Sequence, residues 1–209
     1  MSSNADTRSI GFNLPNQLTL ARVVMVPIFV AVMSFHNYVC FAVGYVLFVV
    51  AVITDYYDGK IARDRNQVTN FGKLIDPLAD KILMSAAFLM AMDISPLRIP
   101  AWTVVAILAR EFLVTGIRTL AVTEGVVIPA EGHGKIKTAA QMTYILLFIP
   151  LAVVSHVLQG QGLDVAARYD SVVAVTSLWC AVGVALYTVY SGIHYLVNNW
   201  RVLHLGAQS

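Results

Sequence analysis

The chain alternates long apolar runs with short polar connections, and the runs set its plan. Six of them have roughly the length that spans a bilayer as helix, about 20 residues. They are Leu18–Phe35, Tyr38–Thr54, Ile75–Met92, Pro100–Leu120, Lys137–Leu158 and Ser171–Val197, and the last is long enough to tilt or overhang the membrane. The expected fold is all-α, an integral membrane bundle of six transmembrane helices. Residues 1–17 read as a tail and an interfacial segment, with Met1–Gly11 disordered and Phe12–Gln17 lying along the interface. Residues 18–200 form one six-helix domain, and 201–209 a short tail. The first ten residues are polar, and the first apolar run is too long and lacks a small-residue cleavage site, so a cleavable signal peptide is not expected.

Composition agrees with a bilayer setting. Of 209 residues, 58% are hydrophobic and only 12% charged, too apolar a balance for a soluble domain. The net charge of +2 is too small to point to nucleic acid, so the placement of charges matters more than their sum. With six spans, both termini share a side with the 59–73 and 121–136 connections. That side carries Arg8, Lys60, Arg63, Arg65, Lys73, Lys135 and Arg201, with Lys137 at its edge; the other has only Arg98 and Arg168. The positive-inside rule then makes both termini cytoplasmic. Cys40 and Cys180 lie in apolar runs and read as two buried small hydrophobes rather than a disulfide. Arg22 and Lys81, near helix ends, are expected to snorkel. Trp102, Trp179 and Trp200 read as interfacial belt.

The chemistry concentrates in one stretch: Asp55-Tyr-Tyr-Asp58-Gly59-Lys-Ile-Ala62-Arg63, eight residues, then Gly72-Lys-Leu-Ile-Asp76-Pro-Leu-Ala-Asp80. On helices, Asp55 and Asp58 at i,i+3 share a face, and so do Asp76 and Asp80 at i,i+4. Four anions converging at a membrane surface resist full ionisation unless cations neutralise them. Oxygen ligands with no Cys or His nearby favour hard ions, Mg²⁺ or Mn²⁺, over zinc. Two such ions balance four carboxylates and form the arrangement that clamps a phosphoryl group during displacement. A lone acidic pair would read as interfacial carboxylates matched to Lys60, Arg63 and Lys73; the fixed spacing of eight positions does not.

The pattern D-x2-D-G-x2-A-R-x8-G-x3-D-x3-D resembles the signature of the CDP-alcohol phosphatidyltransferases, membrane enzymes that build phospholipids, and matches it without a departure. By position, the resemblance implies that Asp55, Asp58 and Asp76 ligate two divalent ions. Asp80 is then the general base, placed near the metals as well. Gly59, Ala62, Arg63 and Gly72 fall on the positions that bind the CMP part of the donor, CDP-diacylglycerol. The residue types suit those roles: Gly59, Ala62 and Gly72 lack bulk, and Arg63 can fork onto phosphate oxygens. Small residues also serve close helix packing, and an arginine here also serves topology; the spacing to four aspartates favours the site.

A second region concerns the acceptor. Ala109-Arg110-Glu111-Phe112 runs on to Arg118, and Gly134-Lys135-Ile136-Lys137-Thr138-Ala-Ala-Gln141 follows. Ionisable residues inside a membrane helix usually serve a pathway, a site or an internal pair. Arg110 and Arg118 lie two turns apart on roughly one side of the fourth helix. With Lys135 and Lys137 they are expected to form a cationic pocket for a phosphorylated acceptor, although Arg110 pairing with Glu111 or a motif aspartate is an open alternative, as is a purely topological role for the two lysines. These segments, with Pro15-Asn16-x-Leu18-Thr19-x-x-Arg22 and Phe71–Lys81, are similar to the bacterial branch of the family that makes phosphatidylglycerophosphate. The likeness implies sn-glycerol 3-phosphate as acceptor, CMP as second product, a homodimer, and residence in the bacterial inner membrane with the site facing the cytoplasm. Within the family, phosphatidylglycerol (cardiolipin synthesis) and inositol phosphate are the rival acceptors. A divalent-cation transporter is the rival from another class, disfavoured because the aspartates sit at helix ends and no acidic cluster faces the outer side.

Overall fold

The computed structural model describes residues 14–64, 70–123 and 132–200, and within them the chain is all-helical, with no strand. Six helices follow in order: α1 Leu14–Met33, α2 Tyr38–Asp64, α3 Asn70–Met92, α4 Ala101–Thr123, α5 Gly132–Gly160 and α6 Ala166–Asn198. Each apolar run became a helix, but most helices outrun their apolar part. α2 has 27 residues, about 40 Å at 1.5 Å per residue, whereas the bilayer core is about 30 Å thick. Its apolar portion, Tyr38–Asp55, is long enough to cross, and the remaining turns to Asp64 stay helical beyond it. Gly134–Gly160 and Ala166–Asn198 also have crossing length and hydropathy, while Leu20–Met33 and Lys81–Met92 are shorter apolar stretches. α1 begins at Leu14, four residues before the predicted boundary, and so takes in part of the segment expected at the interface.

α1 packs against both α2 and α3, which touch each other little; α5 and α6 pair, α6 also covers α4, and α2 meets α5. The core joins Phe29, Phe41, Phe48, Phe88, Tyr144 and Phe148. Phe88 and Tyr144 stack at 5.7 Å between ring centroids, and the Tyr144 phenol pairs with Ser177 at 2.6 Å, so its polar end is satisfied inside the bundle. Gly44 lets α1 and α2 approach: a Cβ there would overlap the Met33 sulfur. Pro150, inside α5, has no N–H to give the Leu146 carbonyl. The Tyr45 hydroxyl of α2 donates to that carbonyl at 3.2 Å instead, turning a helix defect into an interhelical bond.

Two expectations need correction. Cys40 is half-buried and Cys180 is exposed on the outer face of α6, so they are not two core residues. Without water outside the helices, a small thiol facing lipid costs little. Arg22 does not snorkel: it is 1% exposed. Its guanidinium pairs with the half-exposed carboxylate of Asp55, the kind of partner that a buried cation requires.

Candidate active site

The site is built at one end of the bundle, where α2 ends, α3 begins, α4 ends and α5 begins. Because α2 is helical through Asp64, Asp55 and Asp58 stand one turn apart on one face, with Gly59, Ala62 and Arg63 in the turns that follow. Because α3 is helical from Asn70, Gly72, Asp76 and Asp80 recur at one-turn intervals along a single face. The side chains of Asp58, Gly59, Ala62, Arg63, Gly72, Asp76 and Asp80 lie outside the described residues. Helical register and oxygen-only donors fit a hard divalent ion. Among the described residues alone no cluster of three acidic, His or Cys groups occurs.

Asp55 is described, and it is 43% exposed. Arg22 Nη1 on α1 ion-pairs with its Oδ1. The guanidinium thus holds one oxygen of the first motif carboxylate from the protein side. The position of α1 against both motif helices makes this possible. The sequence offered Arg22 only as a basic residue near a helix end.

The basic residues divide in two. Lys137 is 4% exposed and ion-pairs with Glu111, itself 15% exposed. Gln141 Nε2 reaches the same Glu111 oxygen at 3.4 Å and Thr188 Oγ1 at 3.3 Å. Arg110 Nη1 lies 3.9 Å from Glu111 Oε2, and its Nη2 donates to Ser191 Oγ at 3.0 Å. Gly192 makes room for it, since a Cβ there would come within 2.7 Å of Arg110 Cγ. Glu111 therefore gathers Arg110 of α4 and Lys137 and Gln141 of α5 into one buried polar cluster, which the Ser191 and Thr188 hydroxyls of α6 complete. A small cavity of about 20 Å³ beside it is lined by Lys81, Ser85, Lys137 and Thr138 among others.

Lys135 and Arg118 differ from that pair. A helix turns about 100° per residue, so Lys135, two positions before Lys137, emerges on the opposite side of α5 and is exposed. Arg118 lies one face with Arg110, as their spacing predicted, and both meet α6: Arg110 at Ser191, and Arg118 over the Tyr195 ring with Cζ 5.6 Å from the centroid. The four cations are thus not equivalent. Glu111 appeared in the sequence as a candidate partner for Arg110, and its tie to Lys137 was not foreseen; Tyr195 sits in a generic apolar helix and carried no signal.

A roomier cavity, about 590 Å³, opens at the other end of the bundle between Met92–Arg98 and the start of α6. It lacks the carboxylate pairs and has no bearing on the motif.

The family model described as CDP-alcohol phosphatidyltransferase matches residues 12–187. A Bacillus subtilis (strain 168) protein named CDP-diacylglycerol--glycerol-3-phosphate 3-phosphatidyltransferase is 39% identical over 204 residues, covering 92% of this chain and 97% of its own. A Rickettsia felis protein of the same name is 37% identical over 180 residues, covering 86% of this chain and 92% of its own. A Mycobacterium tuberculosis protein named probable phosphatidylglycerophosphate synthase is 36% identical over 193 residues, covering 90% and 82%.

Proposed function

The chain belongs to the CDP-alcohol phosphatidyltransferase family, and from that premise we propose that it transfers the phosphatidyl group of CDP-diacylglycerol to sn-glycerol 3-phosphate, giving phosphatidylglycerophosphate and CMP. The observation that carries the reading is the continuity of α2 through Asp64 and of α3 from Asn70, which puts both aspartate pairs on helical faces at the end where α4 and α5 bring their cations. The names of relatives that align along most of their own length support the acceptor.

In this reading Asp55, Asp58 and Asp76 hold two Mg²⁺ or Mn²⁺ ions, with Arg22 steadying Asp55. Such ions, when bound there, would supply the positive charge that neutralises the donor diphosphate. Asp80 accepts the proton of the acceptor hydroxyl while that oxygen forms its bond to phosphorus and CMP departs with the electron pair of the broken P–O bond. A positioned base contributes about 10²–10⁴-fold. Gly59, Ala62, Arg63 and Gly72 line the CMP part of the donor. Arg118 and Lys135 contact the acceptor phosphate; Arg110 and Lys137 add their charge from the cluster around Glu111. The domain spans residues 18–200 between two short tails. All six helices cross the bacterial inner membrane, with both termini and the site cytoplasmic, and the chain works as a homodimer among membrane lipids.

The test is CMP release by the purified protein in nanodiscs with CDP-diacylglycerol, Mg²⁺ or Mn²⁺, and a panel of acceptors. Turnover with glycerol 3-phosphate well above inositol phosphate and phosphatidylglycerol is expected. Preference for either of the others reassigns the acceptor, and no CMP release with any acceptor sinks the reading.

A further inference from the structure

Tyr195 is 2% exposed, near the cytoplasmic-side end of α6 in the reading above, and one turn beyond Ser191. Its phenol oxygen is buried and has no hydrogen-bond partner among the described residues. Arg118 Nε, beside it, is in the same condition. Leaving a buried donor unmade costs about 1–3 kcal/mol, so two such groups on neighbouring side chains call for a common partner. The guanidinium lies over the tyrosine ring, with Cζ 5.6 Å from the centroid. A guanidinium held against a ring face makes no hydrogen bond to it and keeps its N–H donors for a ligand. A ligand that satisfies a phenol O–H and a guanidinium together is an anion with several acceptor oxygens.

We propose that Tyr195 is a binding residue for the phosphorylated acceptor, its hydroxyl donating a hydrogen bond to the phosphate that Arg118 holds by charge. This rests on the assignment of Arg118 to the acceptor. It also gives the ring two tasks, orienting Arg118 with its face and binding with its edge. Only the second depends on the hydroxyl.

Tyr195→Phe separates them, because it keeps the ring and removes one oxygen. The full-length protein in nanodiscs would be assayed for the KM of each substrate and for thermal stability, with Arg118→Ala in parallel. A charge-assisted hydrogen bond corresponds to about a tenfold effect or more. The KM for glycerol 3-phosphate should therefore rise about tenfold in Tyr195→Phe. The KM for CDP-diacylglycerol should stay within about twofold, and the melting temperature should hold or rise, since no hydrogen bond among the described residues is lost. An acceptor KM within twofold of wild type, while Arg118→Ala raises it, overturns the role of Tyr195 and leaves Arg118 in place. If neither variant moves it, the acceptor assignment falls and this inference with it. A lower melting temperature with unchanged KM values makes the hydroxyl structural and equally overturns the proposal.

Discussion

Charged pairs occur at both ends of the bundle, but they sit in different media. At the aspartate end, Arg22 with Asp55 and Lys137 with Glu111 each place a cation inside the protein. At the other end, His36 meets Asp93 at 2.5 Å across two connections, with more than half of each side chain exposed. Asp170 there accepts from Ser155 and, at 2.5 Å, from Gln159, which are neutral partners. Removing one partner of a buried pair leaves an uncompensated charge in low dielectric, at about 3–5 kcal/mol, whereas an exposed pair is worth about 0–1 kcal/mol. The same residue types thus hold the first motif carboxylate and a buried cluster at one end and merely tie connections together at the other.

Breaking the comparison at its strongest point means removing a motif carboxylate. Asp55→Ala, Asp58→Ala and Asp76→Ala should each abolish turnover and weaken Mn²⁺ binding, read by electron paramagnetic resonance of the free ion. An active variant at ordinary metal concentration removes that residue from the site. Asp80→Asn should keep Mn²⁺ and donor binding while CMP release falls about 10²–10⁴-fold. Lost Mn²⁺ affinity instead would make Asp80 a ligand and not the base.

Next is the Glu111 cluster. Glu111→Ala leaves Lys137 buried without its carboxylate and should destabilise the bundle by about 3–5 kcal/mol, seen as a lower melting temperature in detergent. Adding Lys137→Met should recover much of that loss. If the double variant is no more stable than the single one, the two residues are not coupled.

A smaller effect is expected from exposed Lys135. Lys135→Ala should raise the KM for glycerol 3-phosphate about tenfold, within the range for truncating one member of a charge pair, and the wild-type KM should climb with ionic strength as screening increases. A salt-independent KM would return Lys135 to a topological role.

The least effect belongs to His36. The hydrogen bond to Asp93, then the Ser34 carbonyl, then the Asp93 charge raise its pKa above the ordinary value. A raised folded-state pKa means that the pair's contribution is complete below the unfolded value, about 6.5, and is lost as pH rises through the folded value. Asp93→Asn should bring the His36 titration, followed by NMR, back toward 6.5, with turnover unchanged. An unmoved titration would show that Asp93 does not govern it.

How much was legible beforehand follows from range along the chain. The aspartate pairs could be read because their geometry is local: three- and four-residue spacings need only a helix to become shared faces. Arg110 and Arg118 were placed on one side for the same reason. The partition of Lys135 from Lys137 was equally available from a 100° turn per residue, and the expectation of one joint pocket overlooked it. Arg22 could not be read, because its burial depends on α1 seating beside both motif helices.

The sequence by itself determined a helical membrane chain, the family, and the faces on which the carboxylates fall, since apolar length and helical period are properties of short segments. Tertiary structure alone decided which cation is buried, which carboxylate satisfies it, and that a tyrosine from the generic last helix meets Arg118. Those outcomes are set by desolvation, and desolvation depends on what every neighbouring helix brings to the same point.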